Sequence, residues 1–120
     1  MSPIRRQDVD WFDMDEVEYR ASRLLKALGN PKTYALIKLL RAREVLSVDE
    51  MARELNRAQP TVSKMLRPLR DQEVVRYQRV GNVSYYTLKD PEAIARILKE
   101  AETHADRAGR QIDAPKKKGR

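Results

Sequence analysis

Apolar residues recur at alternating steps of three and four near the start of the chain: Met14, Val17, Ala21, Leu24 and Leu28, with Leu25 widening the stripe. That spacing predicts an amphipathic helix over residues 12–28, ended by Gly29. Asn30 and Pro31 suit an N-cap and a first helical position, and Tyr34, Ile37 and Leu40 form the buried stripe of the helix they open. In SVDEMAREL, Ser47 and Glu50 have capping-box spacing, which predicts a short helix over 48–55 with Val48, Met51, Ala52 and Leu55 inward. After the tight turn NRA, the apolar side Val62, Met65, Leu66 and Leu69 predicts a helix over 59–71.

The period then changes to two. EVVRYQRVGNVSYYTL places β-branched and aromatic residues on both sides of Gly81-Asn82, which predicts a β-hairpin over 74–88. Finally Asp90 caps and Pro91 opens a long helix with the stripe Ile94, Ile97 or Leu98, Ala101, Ala105 and Ala108, stopping at Gly109. The expected fold is mainly α with a small β-hairpin. Residues 1–11 read as an N-terminal arm, 12–108 as one domain and 109–120 as a disordered basic tail with little to bury.

Two prolines fall within the 59–71 segment. Pro60 lies in the first turn, where backbone N–H groups have no intrahelical partner. Pro68 lacks the N–H that would bond to the Lys64 carbonyl, which predicts a bend or loosened turn near residues 64–68.

Charge narrows the function. Charged residues make up 36% of the 120, with net charge +7 and pI about 9.9, a balance that favours a polyanionic partner, nucleic acid before membrane. No stretch approaches the apolar length of a membrane span and no apolar run marks a secretory signal, so a cytoplasmic protein is expected. With no cysteine there is no disulfide, thiolate nucleophile or Cys-ligated metal. One histidine and no glycine-rich phosphate loop leave no basis for an enzyme.

Two short helices joined by a tight turn and followed by a basic hairpin make a helix-turn-helix with a wing. From Arg53 to Arg79 there are seven bases (Arg53, Arg57, Lys64, Arg67, Arg70, Arg76, Arg79) against three acids (Glu54, Asp71, Glu73). The second helix of such a unit enters the major groove while the wing reaches the flank. Its exposed N-terminal residues Gln59, Thr61, Ser63 and Lys64 carry groups that match base edges: Gln pairs in bidentate fashion with adenine, Lys with guanine, and the Thr methyl with a thymine methyl. Arg57 and Arg67 on the helix-turn-helix, with Arg76, Arg79 and Asn82 on the hairpin, complete the expected double-stranded DNA surface.

LLKALGNPKTYALIKLL, LSVDEMARELNRAQPTVSKMLRPLRDQEVV and RVGNVSYYTL resemble the ArsR-type winged helix-turn-helix repressors over residues 22–98. The resemblance implies a homodimer, with N- and C-terminal helices packed across a two-fold axis and helix 59–71 of each copy in the major groove of an inverted-repeat operator. It also implies where metals would bind, and this chain departs from the pattern at both places. Ser47 and Asp49 stand where the family's thiolates would, and Asp90, Glu92, Thr103 and Asp106 stand at the zinc site between subunits, with His104 one position off. No metal or other cofactor is therefore expected, and Asp90, Glu92 and Asp106 read as solvated helix-capping acids in preference to a hard-cation site. Two alternatives stay open: a winged helix that contacts protein, and a DNA-binding regulator controlled by an unidentified non-thiol effector.

Overall fold

A computed structural model describes residues 13–108. The first helix, α1 (Glu16–Leu28), is started by a reciprocal cap: the Asp15 carboxylate accepts from the Glu18 N–H at 2.7 Å, and Glu18 accepts from the Asp15 N–H at 3.1 Å. That cap places the helix start later than residue 12, the start predicted from the apolar spacing, and leaves Met14 outside it. Of the stripe, Leu28 is buried and Leu24 half-buried, while Val17, Ala21 and Leu25 are exposed.

Asn30 caps α2 (Pro31–Arg43), its Oδ1 accepting from the Lys32 and Thr33 N–H groups. Leu36, Ile37 and Leu40 are buried and Tyr34 half-buried. The strand β1 (Leu46–Ser47) follows, an element no periodicity can announce in two residues. Ser47 serves twice, as strand residue and as N-cap of α3 (Val48–Leu55), where the expected capping box is complete. Those bonds from Ser47, backbone first, hold the Glu50 carboxyl below its ordinary pKa.

Asn56 ends α3 in the left-handed conformation, φ 54° and ψ 51°, which Asn tolerates because its side chain bonds locally. This turn delivers the chain at once to α4 (Gln59–Asp71). Helix α4 continues through Pro68 to Asp71, with Val62, Met65, Leu66 and Leu69 all buried on one stripe. Pro68 lacks the N–H that would bond to the Lys64 carbonyl; Leu66 and Leu69 on either side are buried, and the Gln72 N–H closes the last turn onto the Pro68 carbonyl at 3.1 Å.

Strands β2 (Val75–Val80) and β3 (Val83–Leu88) form the hairpin, which a bond from the Lys89 N–H to the Val74 carbonyl closes at its base. Gly81 has φ +62° and Asn82 does not share the positive sign, the pattern of a turn with glycine at its first central position. The sheet order is β1-β3-β2, all antiparallel, with Tyr77 opposite Tyr86 and Leu46 opposite Tyr86 on the other edge. The elements through Lys89 make one compact unit, whose core is Leu36, Ile37, Leu40, Met51, Val62, Leu66 and Leu69.

A second unit begins at Asp90. Asp90 Oδ1 accepts from the Ala93 N–H at 3.1 Å and so caps α5 (Pro91–Ala108). On this helix Ile94 and Leu98 are buried, Ile97 is half-buried, and Ala101, Ala105 and Ala108 are exposed. The sequence-predicted arm 1–11 and basic tail 109–120 lie outside the described residues. No described helix is long and apolar enough to cross a membrane.

Candidate nucleic-acid interface

Helix α4 decides which side chains are presented. With Val62, Met65, Leu66 and Leu69 inward, about 100° per residue puts Pro60, Lys64, Arg67 and Asp71 along the outermost line. Gln59 and Ser63 lie exposed on one flank of that line, whereas Thr61 lies half-buried on the other. The four residues expected to read bases therefore do not form a single row. Lys64 is central, with Ser63 and Thr61 to its two sides and Gln59 at the helix start.

On the hairpin, alternation separates the two wing arginines. Arg79 shares a face with Tyr77, and with Ser84 and the buried Tyr86 across the strand pair; Arg76 lies on the opposite face with Gln78, Tyr85 and Thr87. The Tyr77 face is the one that meets α4, because the Arg70 guanidinium lies 4.5 Å from the Tyr77 ring centroid and donates to its hydroxyl at 3.4 Å. Arg79 is thus on the α4 side of the wing, near the exposed Gly81-Asn82 tip, and Arg76 is on the far side.

Ion pairing separates the basic residues further. Arg43 pairs with Glu54 at 2.9 Å, Arg53 with Asp49 at 2.6 Å, Arg20 with Glu16 at 3.7 Å, and Lys89 with Glu73, whose carboxyl is held below its ordinary pKa by that bond. Among the described residues, Arg57, Lys64, Arg67, Arg76 and Arg79 are exposed and have no acid partner. None of the five cations expected to meet DNA is neutralised by an acid among the described residues, a state they share with exposed Lys32, Lys38 and Arg41 on α2; what sets them apart is their place on the turn, α4 and the wing. A surface of that kind attracts phosphate at long range and releases counterions on contact.

Two contacts escaped the sequence reading. The first is Arg70 stacked on Tyr77, which ties α4 to the wing. The second is a hydrogen bond from Gln59 Nε2 to Asp49 Oδ1 at 2.9 Å, which joins the starts of α3 and α4. Neither has a period or motif that a single sequence displays, since each depends on how separate elements meet.

Comparison with known proteins agrees with this geometry. The profile described as "Bacterial regulatory protein, arsR family" matches residues 30–77, the span from α2 through the helix-turn-helix into β2. A transcriptional repressor SmtB homologue from Synechocystis sp. is 30% identical over 104 residues, covering 87% of this chain and 76% of that one. Among solved structures, the transcriptional repressor PagR of Bacillus anthracis superposes with a TM-score of 0.60 at 26% identity, covering 68% of this chain and 95% of PagR. The AntR antimony-specific transcriptional repressor superposes with a TM-score of 0.65 at 25% identity, covering 92% of this chain and 100% of AntR. With the winged helix-turn-helix in place and a relative matched over most of both lengths, the chain belongs to the ArsR family of transcriptional regulators.

Proposed function

We propose that this ArsR-family chain is a repressor that binds an inverted-repeat operator in double-stranded DNA as a homodimer, with α4 in the major groove and the hairpin as its wing. The observation that carries the reading is the set of exposed, unpaired cations, Arg57, Lys64, Arg67 and Arg79, arrayed on the turn, on α4 and on the wing face that meets it. In this docking Lys64 and Arg67 reach the groove and its phosphates, Gln59, Thr61 and Ser63 contact base edges at the helix start, and Arg79 and Asn82 touch the flank. Arg76, on the far face of the wing, adds long-range attraction and makes the weakest contact of the set.

The dimer is supported by α1. Val17 is 72% exposed and Leu25 57%, with exposed Ala21 between them on one side of the helix, so an apolar strip is left for a second copy to cover. In the proposed dimer the two α4 helices lie about one helical turn of DNA apart, which a palindromic site matches. Occupancy of such a site excludes other proteins from it by steric overlap.

Selection of bound duplexes from a random-sequence pool tests this directly. The expected product is an inverted repeat with half-site centres about 10 base pairs apart. A pool that stays random, with binding governed by salt alone, would leave only non-specific attraction and defeat the proposal.

A further inference from the structure

Gln59 stands at the first position of α4, and its side chain is not free. Its Nε2 donates to Asp49 Oδ1 at 2.9 Å, while Asp49 Oδ2 accepts from Arg53 at 2.6 Å. Both carboxylate oxygens of Asp49 are thereby engaged, one by its own helix α3 and one by α4. A carboxylate only accepts hydrogen bonds, so it can face the NH₂ end of the glutamine amide and not the carbonyl end. The acid therefore dictates which way the amide points.

We propose that Asp49 is a positioning residue for base recognition, holding the Gln59 amide so that it selects adenine over guanine. The inference rests on the reading of α4 as the helix in the major groove. With one N–H committed to Asp49, Gln59 offers one remaining N–H and its Oε1. Those two groups match adenine, whose major-groove edge presents the N7 acceptor and the N6 donor. Guanine presents two acceptors, N7 and O6, and satisfying both would need the N–H that Asp49 already holds.

Asp49 lies in the first turn of α3, where an acid also suits the helix N-terminus. It places a negative charge beside the cationic surface of α4, where a polyanion must approach. Its ion pair with Arg53 offsets that charge locally, so the hydrogen bond to Gln59 comes at little electrostatic cost.

The test is competitive binding to the selected operator and to duplexes carrying each base at the one position whose preference disappears in Gln59→Ala. The unsubstituted chain is expected to favour adenine over guanine there by roughly tenfold or more, as a bidentate pair does. Asp49→Ala is expected to reduce that preference to less than about threefold while leaving preferences at other positions intact. Asp49→Asn, whose side-chain carbonyl still accepts, is expected to restore most of it; Asp49→Ser, too short to reach Gln59, repeats the alanine result should that variant fold poorly. Full adenine preference in both Asp49→Ala and Asp49→Ser overturns the proposal. So does an equal gain in affinity for every duplex in the alanine and asparagine variants, which would make Asp49 a charge and nothing more. An unsubstituted chain that prefers no sequence overturns the underlying reading together with this one.

Discussion

Residues on α4 divide by what surrounds them. Gln59 is exposed and tethered to Asp49, Lys64 is exposed and untethered, and Thr61 is half-buried at the edge of the core. Truncation should therefore have different signatures. Gln59→Ala and Thr61→Ala are each expected to cost about 1–3 kcal/mol of discrimination against sites mismatched at one base, with little change on scrambled duplex. Competition titrations against single-base variants check this, and equal loss on every sequence would remove both residues from base reading. These two candidates were legible from residue type and position alone. The opposite flanks on which Thr61 and Ser63 lie were not weighed in the sequence reading, although the helical period contains them.

At the scale of elements, local chemistry explains both what the sequence foretold and what it hid. Helix α3 was readable to the residue because Ser47 and Glu50 form a cap from four consecutive positions, and the hairpin because its period and Gly81 agree. The start of α1 was misplaced because a stripe of apolar residues continues through Met14, while the cap at Asp15 decides where hydrogen bonding begins. At Pro68 the missing N–H predicts a bend, and the helix continues through that position to Asp71 with Leu66 and Leu69 buried on either side. The turn between α3 and α4 depends on Asn56 at φ 54°. Asn56→Gly should leave stability within about 0.5 kcal/mol, whereas Asn56→Val should lower it by about 1–2 kcal/mol, because a β-branched residue resists the left-handed region. Urea unfolding of the two variants measures the difference, and equal midpoints would show that the turn does not depend on that conformation.

For the whole molecule, the proposed two-fold assembly rests on the side of α1 that its own chain leaves open. Leu25→Glu places a charge where Val17 and Leu25 would meet a second copy. It is expected to convert a dimer into a monomer at micromolar concentration in sedimentation, to leave the helical circular dichroism intact, and to weaken operator binding by at least tenfold, since each half-site then binds alone. An unsubstituted chain that sediments as a monomer at that concentration would end the two-fold model. The sequence carried this expectation only through the family resemblance, because a helix stripe looks the same whether it covers its own core or a partner's.

The central claim is that the unpaired cations on α4 and the wing are the surface that meets DNA. It is tested most directly by the salt dependence of binding to one selected operator duplex, compared between Lys64→Ala, Arg67→Ala and the ion-paired Arg43→Ala. Lys64→Ala and Arg67→Ala should each weaken binding and flatten the plot of log affinity against log salt by about one unit, the loss of one phosphate contact, while Arg43→Ala leaves the slope unchanged. An unchanged slope for both α4 variants, or a loss confined to Arg43→Ala, would contradict the account.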